Sequence, residues 1–98
     1  MMFVVQFEDN AEKAGERAKH MGAHLAFLEK NAAYLKAAGP LLDPATGAGA
    51  GGLWLVDAPG AADVRRLVEA DPFWPTGLRK SVRILQWKQV YRDGKRLG

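Results

Sequence analysis

Met2 to Phe7, MFVVQF, is a run of apolar side chains interrupted only by Gln6, rich in the β-branched and aromatic types that favour strands. Side chains alternate along a strand, so Met1, Phe3, Val5 and Phe7 share one face, while Met2, Val4 and Gln6 share the other. Both faces are largely apolar. A strand of this kind belongs to a sheet that is covered on both sides, and the rest of the chain has to supply the covers.

The next stretch, EDNAEKAGERAKHMGAHLAFLEKNAAYLKAAG, reads as a helix. Asp9 or Asn10 is its N-cap, and Gly39 stops it before Pro40. Gly15 and Gly22 weaken its early part, so a break near Gly15 and a firm helix from about Ala18 are expected. Met21, Leu25, Leu28, Ala32 and Leu35 recur at spacings of four and three, which predicts one buried stripe. GPLLD is then a short extended piece, and PATGAGAGG is a flexible connection. LWLVDA reads as a strand with two apolar faces. PGAADVRRLVEAD reads as a second helix burying Val64, Leu67 and Val68, and SVRILQWKQVY as a long closing strand before a polar tail that turns at Asp93-Gly94.

The order β-α-β-β-α-β is the ferredoxin-like α+β pattern, with two helices on one face of a four-stranded sheet in a single domain over residues 1–98. The two-faced strands then leave an apolar surface on the other side, larger than a monomer normally exposes. A second copy packed sheet to sheet about a two-fold axis is its simplest cover, so a homodimer is expected.

Bulk properties exclude several function classes. The 98 residues contain no cysteine, which removes disulfides, thiolate metal sites and cysteine nucleophiles. No apolar run approaches the ~20 residues of a membrane span, and MMFVVQFEDN turns acidic too soon for an export signal; a cytoplasmic protein is expected. The net charge is +3, but the basic residues gather mainly in RKSVR and WKQVYRDGKRLG near the end. Nucleic-acid domains more often line Lys and Arg along one face with aromatics between them, so a solvated tail is expected and no nucleic-acid partner. Acidic partners of Lys95–Gly98 are the minor alternative. GAGAGG is not a phosphate loop, because a strand follows it and no Lys-Ser/Thr is present.

Candidate chemistry centres on two residues. His24 stands beside the apolar stripe, and an imidazole titrates near neutrality, so it is either a packing residue or a general acid or base. Asp71 precedes Pro72, which disfavours helical backbone at the preceding position, so the second helix ends there. A carboxylate at a helix C-terminus is opposed by the macrodipole and needs compensation. Asp71 therefore either caps the turn PFWPTG or meets His24 and fixes its tautomer.

Glu16, His20 and His24 stack at spacings of four, but a metal there needs further ligands; no metal and no cofactor are expected. Trp54, Trp74, Trp87, Tyr34 and Phe73 read as core or dimer contacts before they read as a pocket. Arg83 is either a solvated strand residue or a cation for an anionic substrate.

RAKHMGAHLAFLEKNAAYLKAAGPLLD resembles the first half of the YciI-like (YCII-related) family: a helical histidine followed by leucine, then a Gly-Pro-Leu strand. GGLWLVDAPGAADVRRLVEADPFWPTGL resembles its second half, with a strand, a helix, Asp-Pro-aromatic and a glycine soon after; VRILQWKQVY resembles its closing strand. The resemblance covers nearly the whole chain. It implies ferredoxin-like subunits paired in a dimeric α/β barrel, and a histidine–aspartate dyad at His24 and Asp71 with Pro72 and Phe73 in the flanking motif. Trp74, Pro75 and Thr76 depart from the smaller or more varied residues usual there, and Trp74 would line or cap the cavity. Some related proteins act on ring compounds by dehydrochlorination or isomerisation. The implied function is therefore acid–base elimination or isomerisation of a small, aromatic type of substrate; the alternative is a non-catalytic module that binds a ligand or protein through the same cavity.

Overall fold

A computed structural model describes all 98 residues. Strand β1 (Met2–Asp9) leads through a 3₁₀ turn (Ala11–Lys13) into helix α1 (Gly15–Lys30). Strands β2 (Leu35–Leu42) and β3 (Gly49–Asp57) follow, then helix α2 (Ala61–Ala70), a 3₁₀ turn (Trp74–Thr76) and β4 (Arg79–Gln86). The sheet order is β2-β3-β1-β4 with every neighbouring pair antiparallel. Each helix thus crosses over one strand, and the fold is the ferredoxin-like α+β arrangement expected from the element order. No helix is long and apolar enough to cross a membrane.

Residues paired directly across antiparallel strands share a face. Phe3, Val5 and Phe7 of β1 lie opposite Val56, Trp54 and Gly52 of β3, and opposite Gln86, Ile84 and Val82 of β4. This face carries the core. Phe3, Val5, Phe7, Trp54 and Val56 are buried beneath α2, which contributes Val64 and Val68 at the i, i+4 spacing. Complete burial of one such side chain stabilises by about 1.5–3 kcal/mol.

Helix α1 differs from the expected one in length and face. It ends at Lys30, because Asn31 closes it: the Asn31 side-chain amide donates to the Phe27 carbonyl and its backbone N–H bonds the same turn. Tyr34 and Leu35 both donate to the Asn31 carbonyl, turning the chain into β2. The Ala- and Lys-rich segment read as helix through Gly39 is therefore largely strand. Pairing with β3 outweighs its helix propensity, and Pro40 is accommodated because β2 is an edge strand. The predicted stripe holds only in part: Leu35 is buried in the core and Leu28 packs against it, whereas Leu25 is 49% exposed and the only buried residue of α1 is His24.

The glycine-rich stretch is also more ordered than expected. Gly49–Gly52 form the first half of β3. At Gly51 the backbone is left-handed (φ 94°), and a Cβ there would sit 1.9 Å from the Phe7 carbonyl oxygen, so only glycine fits. The closing strand stops at Gln86, five residues short of the expected Tyr91. A separate hairpin follows, β5 (Tyr91–Arg92) and β6 (Lys95–Arg96), with positive φ at both Asp93 and Gly94 as a two-residue turn of the primed type needs.

Candidate active site

Asp71 is the C-cap of α2. Pro72 holds it in extended backbone (φ −63°, ψ 132°), which swings its side chain out of the helical path and under the start of the next turn. There Asp71 Oδ1 accepts the Phe73 N–H at 3.1 Å, while the Asp71 carbonyl accepts the Trp74 N–H at 2.8 Å. Thr76 and Gly77 (φ 79°) complete the turn, with the Thr76 hydroxyl donating to the Phe73 carbonyl. Asn10 ties this segment to β1 through Gly77 and Leu78.

His24 reaches Asp71 from α1, Nδ1 to Oδ1 at 2.8 Å, with both side chains almost fully buried. Asp71 Oδ1 is an acceptor that also takes the Phe73 amide proton, so Nδ1 is the donor of this bond and Nε2 is the ring nitrogen that Asp71 leaves free. The ring is fixed further by stacking on Phe73, with centroids 4.1 Å apart and planes 18° from parallel. Both alternatives posed for Asp71 thus hold at once, because one carboxylate oxygen caps the turn and orients the histidine.

A third group completes the arrangement. Arg79, at the start of β4, has a side chain only 3% exposed. Its Nη2 is 3.6 Å from Asp71 Oδ2, an ion pair rather than a hydrogen bond, and its Nη1 is 3.3 Å from Asp9 Oδ1. The guanidinium lies 4.0 Å over Phe7 and 5.2 Å from Phe73. Burial pushes the Arg79 guanidinium below its ordinary range, against the opposing pull of Asp71 and Asp9. Arg17 of α1 also pairs with Asp9 and stands 5.5 Å over Phe73. Asp71 therefore meets its helix-dipole penalty with an amide, an imidazole and a guanidinium.

His24, Arg79 and Arg17 face a hollow of about 100 Å³, walled otherwise by Trp54, by Met21, Leu25 and Leu28 of α1, and by Ala38–Pro40 of β2. Leu25, half exposed on α1, is one of the residues at its rim. Arg17 and Pro40 also border a wider open cleft of about 630 Å³ between the β1–α1 connection and the β2–β3 hairpin.

The structure brings His24, Asp71 and Phe73 together and leaves the other candidates elsewhere. Pro72 is half-buried and does not line the hollow. Trp74 packs towards α2, where Arg65 lies 5.1 Å over its ring, and it does not line the hollow. Arg83 is exposed and pairs with Gln6 on the face of the sheet away from the helices, so it does not supply the cation of the site. Arg79 does. His20 pairs with Glu16 at 3.0 Å on the outer side of α1, while His24 turns inward to Asp71; the stacked trio is thereby split.

Arg79 escaped sequence reasoning because strict alternation groups it with Ser81 and Arg83. A bulge separates them: Glu8 pairs with Ser81, yet Asp9 pairs with Arg79, leaving Lys80 as an extra residue. The acid opposite it, Asp9, becomes a signal only once that bulge is known.

Comparison with known proteins bears on the fold and the family. No curated protein sequence matches the chain significantly. Among solved structures, 5-chloro-2-hydroxyhydroquinone dehydrochlorinase (TftG) of Burkholderia phenoliruptrix, in complex with 2,5-dihydroxybenzoquinone, is similar at a TM-score of 0.80. The two are 30% identical, over 90% of this chain and 94% of that one. The model of the YCII-related domain matches residues 1–88. By its sequence and its fold, the chain belongs to the YCII-related family.

Proposed function

We propose that the protein is an acid–base enzyme that removes or relocates a proton on a small ring substrate, with elimination of a leaving group such as chloride as the favoured reaction. The observation that carries this reading is the buried His24–Asp71 pair at 2.8 Å, opening on a hollow through His24. With Nδ1–H donated to Asp71, Nε2 is the ring nitrogen free to take a proton from substrate, and the carboxylate stabilises the imidazolium that forms. In an elimination from a chlorinated hydroquinone, ketonisation first places a hydrogen on the chlorine-bearing carbon. Nε2 then takes the proton of a ring hydroxyl, the O–H electron pair becomes a C=O bond, the enol double bond shifts to the chlorine-bearing carbon and chloride leaves. In an isomerisation the proton that Nε2 takes returns at another ring atom. Acid–base assistance of this kind contributes about 10²–10⁴ in rate. The similarity to a dehydrochlorinase supports the choice of reaction.

The test is chloride release from 5-chloro-2-hydroxyhydroquinone and related halogenated hydroquinones. Turnover by the wild type is expected, with loss of at least ~100-fold in His24→Gln and in Asp71→Asn, both still folded by circular dichroism. A binding module of the same fold would show no turnover, and the two variants would change only affinity.

We further propose that the molecule works as a cytoplasmic homodimer. Val4, Leu53, Leu55, Leu85 and Trp87 form an apolar groove on the open face of the sheet, and Leu85 and Trp87 are each about two-fifths exposed. A second copy related by a two-fold axis covers this face with itself and pairs the two sheets into a barrel.

A further inference from the structure

The hollow beside His24 presents ionisable groups of one kind. Arg17, His24 and Arg79 line it and no carboxylate does; the rest of its wall is hydrocarbon, indole and the small residues of β2. The acids that balance these cations stand behind them, Asp9 between Arg17 and Arg79, and Asp71 behind His24. Arg79 is not fully matched by those acids. Its Nε is buried and has no hydrogen-bond partner in the chain, a costly state for a charged donor. Nearly complete burial of the side chain denies that donor bulk water as well. Arg17, by contrast, is 23% exposed and stands where the hollow meets the wider cleft.

We infer that the hollow recognises a flat, single-ring monoanion, a ring bearing a conjugated oxyanion. Its negative oxygen is received by Arg79 and Arg17 and its ring lies among Trp54, Leu25 and Leu28, beside His24. The apolar wall suits a ring, the guanidiniums suit an oxyanion that accepts two donors, and the small volume limits the occupant to one ring. The inference rests on the hollow being the substrate site of the proposed enzyme, although it requires binding and not turnover.

Benzoate and its neutral isostere benzamide provide the test, titrated into the full chain and followed by the NMR signals of the His24 ring and the Arg79 Nε–H. Benzoate is expected to bind saturably, to move both signals, and to bind at least about tenfold more tightly than benzamide, as one charge-assisted hydrogen bond implies. Arg17→Gln, at a partly exposed site, should lose about tenfold in benzoate affinity and leave benzamide unchanged. Arg79→Lys keeps the charge between Asp9 and Asp71 but removes the fork, and should also weaken benzoate. Equal affinity for the two probes, absence of saturable benzoate binding, or an Arg17→Gln variant with undiminished preference for benzoate overturns the inference. Chloride release by the wild type is read separately. Turnover without anion preference sinks the recognition of charge alone, and anion preference without turnover of any halogenated hydroquinone sinks the catalytic reading alone.

Discussion

Asp71 serves two structures with one oxygen. It ends α2 by accepting the Phe73 amide and holds the His24 ring by accepting Nδ1–H. Asp71→Asn keeps the shape but offers an amide in place of an acceptor-only group. The Nδ1–H tautomer of His24 should no longer be fixed, visible as a change in imidazole ¹⁵N shifts, and stability should fall by about 1–3 kcal/mol, measurable by urea denaturation. This part of the site was legible in the sequence, since Asp-Pro at a helix end announces a carboxylate in need of partners and the family resemblance paired it with His24. Arg79 was not legible. Its direction depends on one unpaired residue in β4, and no periodicity reveals where a strand breaks its own alternation.

At the scale of elements, α2 and β1 declare themselves, because the burial of Val64 and Val68 and of Phe3, Val5 and Phe7 follows their spacing. The segment Asn31–Leu42 does not. Its alanines, lysine and leucines favour a helix locally, and only the exposed backbone edge of β3 makes them a strand. The β3 glycines carry the opposite lesson, since residues that look like slack in the sequence are obligatory in the sheet. Gly51→Ala is expected to destabilise the fold by well over the ~1 kcal/mol typical of a point change. A new Cβ would press on the Phe7 carbonyl, which is backbone and cannot rotate aside. Gly39→Ala, with open space around its Cβ position, is the control and should cost little.

For the whole molecule, the sheet has a helical cover on one side and none within the chain on the other. Leu55→Lys, in the groove of the open face, should convert the proposed dimer to a monomer in light scattering while leaving the far-ultraviolet circular dichroism intact. The hairpin from Tyr91 to Arg96 lies beyond the residues matched by the family model. An isolated two-stranded ribbon adds little stability, so removing residues 89–98 should leave the melting temperature of the domain nearly unchanged.

Helix α1 buries a single residue of its sixteen, and that residue is His24. The group proposed to face substrate is thus also the one buried peg, beside the partly buried Phe27 and Leu28, by which one of the two covering helices grips the sheet. Upkeep of the proposed reaction and upkeep of the architecture would then fall on the same imidazole. A descendant relieved of its chemistry would be free to exchange that ring and its carboxylate together for hydrocarbon, and would emerge sturdier and inert.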